Sequence, residues 1–492
     1  MHPTCHTLLS TLSLITTAAA PLYAEESGID LNQLIRPYSS QQIVELDLNE
    51  PFTFKLRSGA ERTLRILAIR EHRDSVVNLM RRAEVRAEID GRPLDLVCMP
   101  YVMPTEVAGL RVQVDSTSGW GNTAKTARLS IWDAADPIVN TRHFRYPLRH
   151  HHLFSHGTQC YNEPVHLGLG DDDPGGNHFY HDYGFDTAGF EGRDEVISAT
   201  DGQIVLFWPS REDLCSVVVR HPDGLFWEYA HLSSVEPDIV LNASVRQGQK
   251  IGLLGRTGPS GNFAHLHVGS YEARSHIAAD RPNRGLNLYP WLITAYQARH
   301  PKGLFAVARP HQIAMAGEKV TLDGSCSLAW GGARIVEWQW AFPDGQTVRQ
   351  SKVEKVFDKP GAHVAALWVK DSQGNEDVDF CQIKVYSKLN PEKGMPHLFM
   401  TCSPTENIRP NQPVTFRLWF QGGDSGPITI EFDDGTKVTN YPSYAELSHR
   451  FTPAGIHIVT ARCEADGKPI TQKMKVIVTP ALQPPLTGTS PE

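Results

Sequence analysis

Two short motifs about eighty residues apart hold the residue types that could do chemistry. The first is Asp182-Tyr183-Gly184-Phe185-Asp186. The second is His265-Leu266-His267, preceded by the glycine-rich run Gly255-Arg256-Thr257-Gly258-Pro259-Ser260-Gly261. Between them lies Tyr229-Ala230-His231-Leu232. Together they supply two carboxylates and three imidazoles. Such a set can hold a zinc ion and still leave acid–base groups for a hydrolase. Taken singly, each has a plainer reading. An Asp beside a Gly is usually a turn residue. His231, His265 and His267 could be satisfied histidines of a strand end or a barrel.

The spacing adds geometry. On a strand, residues i and i+2 share a face and lie roughly 7 Å apart. His265 and His267 could therefore both bind one ion on a twisted strand. Equally, one could bind while the other faces the bound water. The Asp-x-x-x-Asp pair would span about 13 Å on a straight strand, too far for one ion. The chain must fold back between them, and Gly184 is read as permitting the unusual dihedrals this requires.

The constellation resembles the lysostaphin-type zinc endopeptidases from about His178 to Glu272. That family shows His-x-Gly-x-Asp, Ala-x-x-Asp-Gly-x-Val, Tyr-x-His-Leu, a Gly-rich Thr-Gly block and His-Leu-His. The matching stretches here are Asp182 to Asp186, Ala199-Thr200-Asp201-Gly202-Gln203-Ile204, Tyr229 to Leu232, Gly248 to Gly258, and His265 to His267. Carried over by position, the resemblance implies Asp186 and His267 as zinc ligands and His231 and His265 as catalytic histidines. Where the family has its first ligand histidine, this chain has Asp182. A carboxylate can also bind zinc. Two carboxylates and one imidazole leave a divalent ion a formal charge of about 0, against about +1 for the family's set, so its water should be less acidified. His181 and His178, just upstream, are alternative ligands. The resemblance implies one Zn2+ in the groove of a small antiparallel β structure. It further implies hydrolysis of peptidoglycan cross-links, through a glycine- or D-alanine-containing link. The alternative is a catalytically degenerate cell-wall binding or regulatory protein that retains the fold. A serine hydrolase and a helical zincin are disfavoured, because neither Gly-x-Ser-x-Gly nor His-Glu-x-x-His occurs.

The elements that must position these residues read as mainly β. At 492 residues the chain has room for three or four domains. Residues 25–149 are read as an N-terminal β domain of unknown role. There Leu46 and Leu48, Leu64 and Ile66, Leu110, Val112 and Val114, and Ala127, Leu129 and Ile131 alternate with polar residues, the period of half-buried strands. Residues 150–300 are the expected metallopeptidase domain, with strands at Gln203–Trp208, Ser216–His221 and Leu225–His231. The stretch Gly168 to Asn177, with three aspartates, reads as a solvated loop at the groove's edge. His150, His151, His152 and His156 lack regular ligand spacing and read as a solvated linker.

Residues 303–387 and 396–480 form a loose repeat. The first holds Trp338-Gln339-Trp340-Ala341-Phe342-Pro343-Asp344-Gly345 and Lys359-Pro360-Gly361; the second holds Phe432-Asp433-Asp434-Gly435 and Pro453-Ala454-Gly455. Both resemble PKD-type (polycystic kidney disease) immunoglobulin-like sandwiches, which implies spacers or modules for surface or glycan contacts. Lys388 to Pro396 is the expected linker, and residues 481–492 a disordered proline-rich tail.

Residues 1–24 read as a signal peptide: an apolar run from Leu8 to Ala20, then Leu22-Tyr23-Ala24 before two glutamates. No later run is long enough to span a membrane as a helix, so the mature protein is expected to be exported to the periplasm, cell surface or medium. A net charge of −8 argues against a nucleic-acid partner. Eight cysteines occur, with Cys5 in the leader. Export permits disulfides, and Cys326 with Cys381, Cys402 with Cys463 and Cys160 with Cys215 are the plausible pairs.

Overall fold

The computed structural model describes residues 22–23, 39–154, 157–166, 179–208, 215–258, 260–271, 285–391, 394–421 and 426–480. The apolar leader, His156, His178, the Gly168–Asn177 loop and the tail lie outside the described residues. The chain is mainly β, as its alternating patterns and dense turn residues require. Among the described residues no helix is long and apolar enough to cross a membrane.

The N-terminal region folds into two four-stranded antiparallel sheets. One is built on Glu61–Arg73 and Met80–Ile89, the other on Leu110–Thr117 and Ala127–Asp133. The alternating apolar residues meet between them, with Leu64, Ile66, Leu110, Leu129 and Ile131 almost fully buried. Two expectations need correcting here. Leu48 lies past the end of its strand and is 46% exposed. Ala127–Asp133 is buried on both faces rather than one, because its polar face is covered as well. Arg128 donates to the Gly285 carbonyl and Trp132 to the Ser39 hydroxyl.

The motif region supplies six strands of a seven-stranded antiparallel sheet, whose seventh, Leu22–Tyr23, pairs with Gly202–Trp208. From there the order runs Gly202–Trp208, Ser216–Arg220, Phe226–Ala230, His265–Tyr271 and, at the other edge, Phe185–Ala188. The expected strands thus form to within one residue at each end. A helix that the sequence reading missed, Tyr289–Arg299, packs beside this sheet with Trp291, Leu292, Ile293 and Tyr296 all buried. The expected histidine linker is solvated only in part: His150 is exposed. His151 is buried, and the His152 ring packs edge-on against Tyr296 and Phe305.

The two C-terminal regions are not strung apart. Gly361–Asp371 of the first and Lys468–Val478 of the second are joined by a parallel bridge, Ala362 to Ile470, so that one nine-stranded sheet runs through both. Their other faces close as sandwiches over separate cores, one around Trp340, Leu367 and Ile383, the other around Phe416, Ile430 and Val459. The largest core of the molecule, around the motif region, also takes in Tyr101 from the N-terminal region and Phe399 and Trp419 from residues 396–480. All seven cysteines beyond the leader are free thiols, so none of the three expected disulfides forms. For Cys326 and Cys381 the reason is visible: Cys381 sits in the first C-terminal core, while Cys326 packs against the core of the motif region.

Candidate metal and hydrolytic centre

The site is built on the strand His265–Tyr271. Strand periodicity puts His265 and His267 on one face. Asp186 is the cross-strand partner of His267 on one side and Ala230 its partner on the other. Asp186 is held in turn by two backbone hydrogen bonds with Gln159. His231 follows directly where Phe226–Ala230 ends. Its backbone is left-handed, φ 64°, a conformation that costs a non-glycine residue energy and has to be enforced by its surroundings. The turn brings its ring to 4.5 Å from that of His265 and 6.0 Å from that of His267, centroid to centroid.

Asp182 arrives from a separate short strand, Phe179–His181, after which the chain breaks and re-enters at Phe185. The Asp182 amide donates to the Glu163 carbonyl, and its own carbonyl accepts from Asn162. Its carboxylate accepts the Gly184 amide at 2.8 Å. This is the fold-back the sequence spacing demands. Gly184 is needed for a different reason than expected, since its φ is not in the left-handed region. It is needed for room: a Cβ there would lie 2.6 Å from His267 Cε1 and 2.6 Å from the Val268 carbonyl oxygen.

Asp182, Asp186 and His267 can each offer a ligand atom within 4.8 Å of the others. His267 Nδ1 lies 2.7 Å from Asp186 Oδ1, and His265 Nε2 lies 3.4 Å from Asp186 Oδ2. Both carboxylates are nearly buried, at 3% and 5% exposure. Two carboxylates facing each other out of water require a proton or a cation between them. Two oxygens and an imidazole nitrogen suit zinc. The residues present therefore fit such an ion.

The protonation pattern without metal says the same. Burial, and then the neighbouring Asp186, push Asp182 well above the usual carboxylate range. Burial acts on Asp186 too, but His265 and His267 outweigh it and hold that carboxylate below its ordinary value. Burial would lower His267, yet Asp186 outweighs it and raises the imidazole to about 9. Burial lowers His265, and lowers His231 further with help from the other two imidazoles. Both rings are therefore neutral near neutral pH. Each gives its Nδ1 to a backbone carbonyl, His231 to Thr257 and His265 to Phe263, both at 2.7 Å. That fixes the tautomer and leaves Nε2 as the basic nitrogen of each ring.

The remaining motif residues support these. The Tyr229 hydroxyl accepts the Ala199 amide at 2.8 Å, tying the second block to the third. Gly255 allows the glycine-rich loop to close on the strand end, where a Cβ would come within 2.7 Å of the His231 carbonyl oxygen. The Thr257 hydroxyl donates to the Leu232 carbonyl and accepts the Cys215 amide. His181 stands outside the cluster. Its Nε2 bonds the Met80 carbonyl at 3.1 Å, facing the N-terminal region, and burial lowers it to about 4. His178 lies outside the described residues. Thr257 stands in the glycine-rich run named from the sequence, but without a role there; Phe263 lies just past that run and was not named. Both act through backbone carbonyls, which carry no residue-type signal.

Residues 180–279 match the model of peptidase family M23, and residues 305–385 match that of the PKD domain. One PKD domain is found; residues 396–480, expected as a second copy, are not among the matches. The catalytic domain of lysostaphin from Staphylococcus simulans is 25% identical over 28% of this chain and 92% of its own, with a TM-score of 0.23. A zinc-containing peptidase from Vibrio cholerae is 17% identical over 48% of this chain, TM-score 0.23. Csd3 from Helicobacter pylori is 18% identical over 44% of this chain, TM-score 0.20. The chain spans 57% and 54% of the length of these last two. It carries an M23 peptidase domain followed by a PKD domain.

Proposed function

We propose that this chain is an exported zinc metalloendopeptidase that hydrolyses peptide cross-links of peptidoglycan. The observation that carries the reading is the meeting of buried Asp182 and Asp186 with half-buried His267 in one cluster, with neutral His231 and His265 beside it. A zinc ion held by those three residues would supply Lewis acidity toward a peptide carbonyl and an acidified water. The rest falls to the chain's own groups. His265 Nε2, neutral and aimed at the cluster, takes a proton from the attacking water. His231 Nε2, in a ring 4.5 Å from that of His265, would accept that proton from His265, hydrogen-bond the carbonyl oxygen through it as the oxygen becomes negative, and pass it to the leaving amine, which restores both neutral rings. Asp186 orients His267 and offers its other oxygen toward His265. Residues 1–24 support export as a leader.

One observation favours a second reading, a cell-wall binding protein without turnover. Asp182 adds a carboxylate and reduces the positive charge that would acidify a bound water. Purified peptidoglycan incubated with zinc-loaded protein separates the two. Release of new amino termini, lost in His265→Ala, supports the peptidase. Saturable binding with no release supports the binder.

A further inference from the structure

The sequence reading makes residues 396–480 a spacer or adhesion module. Their contacts with the peptidase region add a second role. The His265 ring stacks on Phe263 at 4.5 Å and 15°. Phe263 stacks on Phe399 at 4.7 Å and 19°, Phe399 on Trp419 at 5.1 Å and 20°, and Trp419 on Tyr444 at 5.7 Å and 13°. The Arg256 guanidinium closes the series 4.7 Å above Tyr444. Five near-parallel rings thus run from a site histidine into another module and return, through Arg256, to the loop on which the histidines depend.

That loop, 255–263, holds both imidazoles. Thr257 bonds His231 through its carbonyl and Phe263 bonds His265 through its carbonyl. It is clamped from the module by polar contacts as well. Asn262 donates to the Tyr444 hydroxyl. Arg256 pairs with Glu191 at 3.0 Å, Glu191 with Arg417 at 3.8 Å, and Glu446 with both Arg417 and Arg193 at 2.7 Å. Phe399 and Trp419 are 1% exposed and belong to the core of the peptidase region rather than to that of their own sandwich. Tyr444 holds a left-handed backbone, φ 65°, that a tyrosine does not choose unaided.

We propose that the module of residues 397–478 is a working part of the hydrolytic site, and that Phe399, Trp419 and Tyr444 are positioning residues that fix His231 and His265 through the 255–263 loop. The proposal rests on the peptidase reading for its kinetic consequence, but not for its structural one. Stacked aromatic pairs and a cation over a ring face restrict both distance and tilt. A general base displaced by about 1 Å can lose on the order of a hundredfold in rate.

Tyr444→Ala in the full chain is the test, because Tyr444 is half-buried and its removal spares both sandwich cores. It deletes the last ring, the seat of Arg256 and the Asn262 bond together. The expected result is a roughly tenfold lower kcat with unchanged KM and unchanged metal content. Hydrogen exchange should be faster in the 255–263 loop and unchanged in the PKD domain. Trp419→Phe, which keeps a ring in the stack, should retain at least half of kcat. Wild-type kcat together with wild-type exchange in the loop overturns the proposal. So does a uniform rise in exchange over the whole chain, which would make Tyr444 a merely structural residue. Exchange needs no turnover: a chain with the coupled loop and no hydrolysis refutes the peptidase reading alone, whereas hydrolysis without the coupling refutes this proposal alone.

Discussion

Replacing Gly184 by alanine tests whether the geometry of the centre is as tight as described. The added methyl carbon would stand 2.6 Å from His267 Cε1, 2.8 Å from His267 Nε2 and 2.6 Å from the Val268 carbonyl oxygen. The carbonyl belongs to a strand paired on both sides and cannot retreat. Ordinary contact begins near 3.4 Å, so the imidazole must give by about 0.8 Å, the difference between 3.4 and 2.6. Metal ligands tolerate about 0.2 Å. Overpacking of this kind costs about 1–3 kcal/mol. If that strain is relieved by moving His267 away from Asp182 and Asp186, metal affinity should fall roughly 10- to 100-fold, since 1.4 kcal/mol is a factor of ten. Chelator competition on the purified chain measures the affinity, and thermal melting without metal measures the strain. Zinc affinity within twofold of wild type, with an unchanged melting temperature, would refute the reasoning.

Three further outcomes are expected. His231→Ala and His265→Ala should each keep full metal content and lose about 10²–10⁴ in hydrolysis rate, read by metal analysis and amine release on the same preparations. Asp182→His should raise the charge on the bound metal, acidify its water, and move the pH–rate profile downward or raise the rate at neutral pH; an identical profile at equal occupancy would remove Asp182 from the ligand set. Zinc affinity should climb at least tenfold per pH unit from pH 6 up to about 9, because the raised pKa of His267 means that a proton must leave for the metal to bind below that value. A pH-independent affinity over that range would contradict the ion pair with Asp186.

The site was legible because its chemistry lies in side-chain types at short fixed spacings. Asp186, His231, His265 and His267 could be named from the blocks and the resemblance they carry, and runs rich in Val, Ile and aromatic residues located the strands beneath them. Asp182 was recognised as the departure. Whether it or His181 faces the cluster depends on which side of a short strand each occupies, and that follows from the pairing of Pro164 with His181, which no local pattern announces. The role of Gly184 was misjudged because a glycine kept for space and one kept for dihedral freedom look alike in sequence. The helix Tyr289–Arg299 escaped because it is buried nearly all round and so lacks an apolar stripe. The buried state of His151, the free cysteines and the docking of Phe399 and Trp419 are all matters of long-range packing. A Trp that fills its own sandwich and one that fills a neighbour's core have the same signature.

The central claim is that Asp182, Asp186 and His267 hold one catalytic ion. Its most direct test is metal content and hydrolysis measured together on the full chain and on His267→Ala, each stripped with chelator and reloaded with zinc. The account predicts one zinc per wild-type chain, peptidoglycan hydrolysis that disappears on stripping and returns on reloading, and neither zinc nor hydrolysis in His267→Ala. Stoichiometric zinc in His267→Ala, or hydrolysis by the stripped wild-type chain, would contradict it.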